Sequence, residues 1–280
     1  MLVDHDIDGG EAADGPVGDE TAGIALATIG AWFEKNSRAV TYSRQLEVLH
    51  EERFFHWVTN KAIQHLVAAG TVAVDKGAAG APNVLFHRSH RYPRRASAKL
   101  RELIAEHSHP DIGHQIGQHA ELLVSQAFFE AGFQFVGKNV SELDGVKWTE
   151  SDHDLDFVFQ RDGRRYGIEI KNKLGYANLG DELRLKARIA KHLGCVPLHV
   201  VRFLPKTWIF ETITSGGFVL VFKWQLYHPA HQGLADRLAK ELRLPVRVTS
   251  SFSGDDLARF LSWHAKKVET MAAQAKGRRR

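Results

Sequence analysis

Two short runs near the middle of the chain set acids where a pair of strands would bring them together. The first is Asp154-Leu155-Asp156-Phe157-Val158-Phe159 and the second Ile168-Glu169-Ile170-Lys171. Alternate side chains of a strand share a face. Glu169 and Lys171 therefore point one way while Ile168 and Ile170 point the other, and Asp154 and Asp156 share a face opposite Leu155, Phe157 and Phe159. The charged stretch Arg161–Arg165 contains Gly163 and reads as the turn between the two runs. Paired as a hairpin, the runs place Asp156 near Glu169. Two carboxylates that close repel one another unless something neutralises them, and a divalent cation does so. Mg²⁺ takes oxygen ligands and keeps several waters, so two or three carboxylates and a substrate phosphate complete a site for it. A lysine one pleat away can orient or activate the attacking water and stabilise charge on the phosphate. The chemistry this spells is metal-assisted hydrolysis of a phosphodiester. Cross-strand ion pairing on a wet sheet face produces similar triplets. What separates this one is the aspartate one hairpin upstream, the apolar flanks suited to central strands, and a lone acid, Glu121, heading the apolar run Leu122-Leu123-Val124 on an upstream helix.

The elements that must position these residues are legible as a succession. "GHQIGQHAELLVSQAFFEAGF" has helical apolar spacing and ends at Gly132. "FQFVGKNV", "DLDFVFQ" and "YGIEIKN" read as strands, "ELRLKARIAKHLG" as a helix, and the nearly all-apolar "CVPLHVVRFLP" as a buried central strand. "FVLVFKWQLY" reads as one further strand, "GLADRLAKELR" and "SGDDLARFLSWHAKKVETMAAQ" as helices. This order predicts an α/β layered domain around a mixed sheet. Upstream, helical patterns in "GIALATIGAWFEKN", "TYSRQLEVLH" and "FHWVTNKAIQHLVAAG" precede two short strands, "TVAVDK" and "VLFHR", around a Gly- and Ala-rich turn. Three helices and a hairpin make a winged helix-turn-helix pattern. Its third helix is expected to carry Thr59, Asn60, Lys61 and Gln64 outward, where they can reach bases or phosphates. Such modules also bind protein or support homodimers.

The strand residues resemble the PD-(D/E)XK, or restriction-endonuclease-like, nuclease superfamily. The likeness spans roughly residues 113–225. It rests on Glu121 on the first helix, Asp156 on the second strand, Glu169-Ile170-Lys171 on the third, and the helix and apolar strand that follow. It implies Asp156 and Glu169 as Mg²⁺ ligands, with Mn²⁺ as an alternative, Glu121 as an additional or water-mediated ligand, and Lys171 as the water-activating or charge-stabilising lysine. The sequence departs from the family pattern in having no proline before the aspartate. Asp156 is preferred for its place in the strand, with Asp154 or Asp152 as supplementary acids. If the likeness is functional, the carboxylates of Glu121, Asp156 and Glu169 and the amine of Lys171 must converge. Lys173 falls on the face of Lys171 and is a candidate phosphate contact. Arg184, Arg188 and Lys191 share a helix face that either lines the nucleic-acid groove or is simply solvated.

Charge agrees with a polyanion partner. The net charge is +4, but residues 1–20 hold seven acids and no lysine or arginine, so the rest of the chain is more basic than the total suggests. Residues 1–22 read as a disordered acidic tail, 23–92 as the winged helix, 93–112 as a basic linker and helix, 113–252 as the nuclease-like domain, and 253–280 as a C-terminal helix with a basic tail. One cysteine, Cys195, in an apolar run fits a reduced thiol in a cytoplasmic protein. No run is long and apolar enough to span a bilayer. No zinc-ligand spacing accompanies His107 and His109, and no Gly-rich phosphate loop is present. The expected function is Mg²⁺-dependent cutting of DNA. Non-catalytic DNA binding on a nuclease-like fold, or RNA processing, is the alternative.

Overall fold

The structure, a computed structural model, describes residues 19–78, 81–175 and 179–277. It divides into two compact units. One comprises the described residues up to His114 together with Gly233–Pro245; the other comprises Gln115–Gln232 and the described residues from Val246 onward. Among the described residues no helix is long and apolar enough to cross a membrane.

The first unit runs α1 (Asp19–Lys35), β1 (Val40–Thr41), α2 (Ser43–His50), α3 (His56–Ala68), β2 (Val72–Asp75), β3 (Val84–His87) and α4 (Pro93–His107). The strands form an antiparallel sheet in the order β1-β3-β2. Ile29 and Phe33 of α1, Leu46 of α2, Ile63 and Leu66 of α3 and Leu85 of β3 make its core. Residues 1–18, most of the expected acidic tail, lie outside the described residues; residues 19–22 are already helical.

One expectation is corrected here and one refined. On α3 the buried stripe is Val58, Thr59, Ala62, Ile63 and Leu66, so Thr59 faces the core with no exposure at all. Residues 59, 62, 63 and 66 follow the spacing of one helix face, and seating that face inward leaves Trp57 and Val67 only half-buried at its flanks. The stretch expected as a basic linker and helix is helical from Pro93 to His107, as α4, with the next helix beginning at Pro110. Proline fits at the first turn of α4, and Leu100, Leu103, Ile104 and His107 supply a buried stripe. Arg101 of that basic stretch holds the β2–β3 hairpin, donating to the carbonyl oxygens of Asp75 at 2.6 Å and Pro82 at 3.2 Å. Residues 233–245 belong to this unit because Gln45, itself buried, donates to the Leu242 carbonyl at 2.8 Å and Arg237 pairs with Glu106.

The second unit contains most of α5 (Pro110–Glu130), then β4 (Gln134–Val140), β5 (Glu142–Leu143), β6 (Val146–Lys147), β7 (Leu155–Arg161), β8 (Arg164–Lys171), α6 (Leu179–His192), β9 (Val196–Val201), α7 (Lys206–Thr214), β10 (Phe218–Val221) and β11 (Gln225–Tyr227). After α8 (Gln232–Glu241), which lies almost wholly in the first unit, come β12 (Val246–Val248) and α9 (Gly254–Gly277). The main sheet has the order β10-β9-β8-β7-β4. Strands β4, β7 and β8 are antiparallel neighbours, and β8, β9 and β10 are parallel, so the sheet is mixed, as expected. One face packs Phe157, Phe159, Ile168, Ile170, Leu198 and Val200 under α5 and α9. The other packs Val158 and Cys195 against Ile189, Ala190 and Leu193 of α6. Burial pushes the Cys195 thiol up to about 11, which keeps it protonated.

The stretch read as one strand after Gly216-Gly217 is two. β10 extends the main sheet, Lys223 and Trp224 are exposed at the break, and β11 pairs with β12 in a separate parallel ladder. Helix α7 was not foreseen. Its sequence KTWIFETIT is rich in β-branched and aromatic residues, which are mediocre helix formers; packing of Trp208 and Ile209 against Leu183, Val201 and Val219 overrides that preference.

Candidate active site

The β7–β8 ladder runs from Arg161 opposite Arg164 to Phe157 opposite Ile168. Strand alternation beyond that point brings Asp156 level with Glu169. Both lie on the α6 face, as Val158 and Gly167 show: Val158 packs on α6, and a Cβ on Gly167 would sit 2.8 Å from the Ala190 Cβ. The missing Gly167 side chain lets α6 approach β8 closely.

On this face acids and amines interlock. Asp156 Oδ2 accepts the Ile170 amide at 2.7 Å. Glu169 is 1% exposed; its Oε1 lies 2.6 Å from Lys171 Nζ and its Oε2 lies 3.0 Å from Lys186 Nζ. Lys171 also meets Glu182 Oε1 at 2.8 Å, and Lys186 reaches Asp154 Oδ1 at 3.7 Å. His199, level with Glu169 on β9, is buried with no hydrogen-bond partner on either ring nitrogen among the described residues. Just past Lys171, the Asn172 amide donates to the carbonyls of Ile116 at 2.9 Å and Leu226 at 2.7 Å, while its oxygen accepts the Leu226 amide at 2.9 Å. These bonds fix where the chain leaves the strand.

The charge states follow. Burial, and then the charge of Glu169, push the Asp156 carboxyl up to about 7, against the opposing pull of the Ile170 amide and the two lysines. Burial alone would lower Lys171, but Glu169 and Glu182 outweigh it and hold its ammonium above the usual range. Burial likewise works against ionised Glu182, yet Lys171 keeps its carboxyl below normal. Burial, with Lys171 and Lys186 adding to it, lowers His199 to about 4, so its ring is neutral.

Glu121 is not brought to this cluster. Its carboxylate meets Lys138 Nζ at 2.9 Å, and Lys138 lies over the ring of Phe157 at 5.3 Å. Phe157 and Asp156, neighbours in a strand, point to opposite faces. Helix α5 seats Ala120, Leu123, Val124 and Phe128 on the Phe157 side, so Glu121 and the Asp156–Glu169 pair are separated by the sheet. Lys173 is exposed beyond the end of β8, and its charge acts on Glu182. Asp152 and His153 are exposed, the latter 3.3 Å from Ser151 Oγ. Arg184 pairs with Glu211 and Asp181, and Arg188 pairs with Glu150 while lying over Trp148, so these two arginines of the α6 row are engaged within the protein. In the first unit Asn60 is half-buried, Lys61 and Gln64 are exposed, and Lys61 sits 5.2 Å from the Trp57 ring centre.

Sequence reasoning missed Lys186, Glu182 and His199. A signal for Lys186 was present. It interrupts the stripe Leu183, Ile189, Ala190 and Leu193 as a single lysine among buried positions, and lysine is rarely buried unless it is paired.

The donor set suits a hard divalent cation. Asp156 and Glu169 offer adjacent carboxylates, and burial, with the charge of Glu169 adding to it, makes an ionised Asp156 costly until a cation neutralises it. Among the described residues no three His, Cys, Asp or Glu side chains form a metal cage. A pair of carboxylates fits an ion such as Mg²⁺, which fills its remaining positions with water and substrate oxygen. No family model matches this chain, and no curated protein or solved structure matches it either.

Proposed function

We propose that the protein is a metal-dependent nuclease that hydrolyses DNA phosphodiester bonds. The second unit would be a PD-(D/E)XK-type catalytic domain and the first a winged helix that engages duplex DNA. The observation that carries the reading is the side-by-side placement of Asp156 and Glu169 on one sheet face, with Lys171 in contact with Glu169. The order helix α5, strands β4, β7 and β8, helix α6 and strand β9 matches the order on which the family resemblance rests. The succession α1-β1-α2-α3-β2-β3 with sheet order β1-β3-β2 supports the winged-helix reading.

Asp156 and Glu169 would hold the cation. When bound, it supplies positive charge to the phosphate and makes water a better nucleophile near neutral pH. Asp156 must release its proton for this, so binding is coupled to pH. Glu169 and Glu182 favour the ammonium form of Lys171, which would stabilise charge that develops on the phosphate oxygens. Water adds to phosphorus as one ester P–O bond breaks, leaving a phosphomonoester and a hydroxyl. The exposed Lys61 and Gln64, with half-buried Asn60 beside them, supply the DNA contacts of α3.

Incubation of the full chain with supercoiled and linear DNA, and with RNA, with and without Mg²⁺, tests this. Nicked or linear product is expected only with Mg²⁺, falling by roughly a hundredfold or more in Glu169→Ala and Lys171→Ala. Near-wild-type cutting by Glu169→Ala rejects the site. Binding without cutting returns the protein to a regulatory role, and cutting of RNA alone changes the substrate.

A further inference from the structure

Glu169 carries two ammonium partners of different origin. Lys171 is its neighbour on β8. Lys186 arrives from α6, enclosed to the extent that its side chain is 8% exposed. A buried lysine loses hydration and side-chain freedom, and the apolar stripe around Lys186 would be completed as well by a leucine or methionine. Each lysine also touches a second, more open acid. Lys171 has Glu182 at 2.8 Å and Lys186 has Asp154 at 3.7 Å, their side chains 38% and 39% exposed. The buried acid is thus bracketed by two amines, and each amine by an outer acid.

We propose that Lys186 is the resident counter-cation of the metal-free site, which neutralises Glu169 until a divalent cation arrives and then moves across to Asp154. This rests on the reading of Asp156 and Glu169 as the residues that hold metal. A divalent ion on Glu169 and an ammonium 3.0 Å from the same carboxylate repel strongly in a poorly hydrated site. Lys171, on the other oxygen of that carboxylate, keeps Glu182 at 2.8 Å as a close second partner; the Lys186 ammonium cannot stay unpaired, and Asp154 at 3.7 Å is the acid it can close on. Asp154, considered from sequence as a supplementary ligand, thereby becomes the receiver for Lys186. The ion and the lysine compete for one carboxylate, and Asp154 sets how easily the lysine gives way.

The test is calorimetric titration of the full chain with Mg²⁺ in the absence of nucleic acid, for wild type, Lys186→Met, Lys186→Gln and Asp154→Asn. Removing the competing charge should tighten Mg²⁺ binding about tenfold or more in both Lys186 variants, and removing the receiver should weaken it about tenfold. Melting in EDTA should show the Lys186 variants less stable than wild type, with more of that stability regained on adding Mg²⁺. Should Lys186→Met fail to fold, Lys186→Gln and Asp154→Asn carry the comparison. The ¹⁵N resonance of the Lys186 ammonium in wild type, assigned by its loss in Lys186→Gln, should also shift as Mg²⁺ is added. Wild-type binding that is unchanged or weakened in the Lys186 variants overturns the proposal and leaves Lys186 a structural partner of Glu169, with the nuclease reading intact. No Mg²⁺ binding by any of the proteins removes the metal site itself, and both readings fall.

Discussion

Asp156 on β7 accepts a hydrogen bond from the main-chain amide of Ile170 on β8 at 2.7 Å. The ladder between these strands pairs Phe157 with Ile168 as its last step on that side, so a side-chain oxygen takes up the next free donor. The carboxylate is thereby anchored to the strand that carries Glu169. The bond favours its charged form, but burial and the neighbouring negative charge prevail, and Asp156 titrates near neutrality.

That shift has a consequence for stability. The Asp156 carboxyl is raised from 3.8 to about 7 in the folded protein. Between about pH 4 and pH 7 the folded state therefore holds a proton that the unfolded state has released, and stability declines as the pH rises through this window. Asp156→Asn keeps an acceptor for the Ile170 amide and cannot ionise. Without divalent cation it should be more stable than wild type at pH 8 by about 4 kcal/mol, the gap closing toward pH 4. Thermal melts in EDTA at pH 4.5 and 8 measure this. An equal gap at both values would refute the account.

The inward turn of Thr59 can be tested against its expected role on the DNA face. Its hydroxyl is buried without a hydrogen-bond partner among the described residues, an arrangement that costs free energy. Thr59→Val should raise stability by about 1 kcal/mol and leave DNA affinity unchanged. Lys61→Ala, at an exposed position of the same helix, should weaken binding across DNA sequences and reduce its salt dependence. Fluorescence anisotropy at two salt concentrations separates the two; a large loss of affinity in Thr59→Val would put Thr59 back on the binding face.

Gly167 governs how closely α6 approaches β8. An alanine Cβ there would meet both the Ala190 Cβ and the Leu155 Cδ1 at 2.8 Å. Gly167→Ala should cost about 1–3 kcal/mol, read by chemical denaturation. Because α6 carries Lys186 and Glu182, Mg²⁺ affinity should change with it. A variant as stable as wild type would show that the helix has room to retreat.

The faces of individual strands were legible locally. A period of two is enough to place Glu169 and Lys171 together and Ile168 and Ile170 opposite them, whatever surrounds the sheet. The helical period was equally visible in α3 and α5, but it defines a face only to within a residue or two at each flank. With Val58, Thr59, Ala62, Ile63 and Leu66 seated inward, Thr59 moved from the expected outer side to the core. A single threonine is small enough to sit on either side.

The order of most helices and strands, the mixed sheet, and the pairing of an aspartate-bearing strand with a Glu-x-Lys strand could be read from the sequence, because local periodicity, turn residues and element order specify them. The sequence did not determine which side of the sheet each helix covers. That depends on long-range packing, and it sent Glu121 to the Phe157 side with Lys138 while it brought Lys186 of α6 to Glu169 and Glu182 of α6 to Lys171. Nor did it reveal that residues 233–245 return to the first unit, since the contacts that hold them there, among them Gln45 to Leu242 and Arg237 to Glu106, join residues far apart in the chain. The spacing shows which strand charges meet but not their protonation states; Asp156 near neutrality and Lys171 held as a cation exist only because tertiary structure buries them side by side.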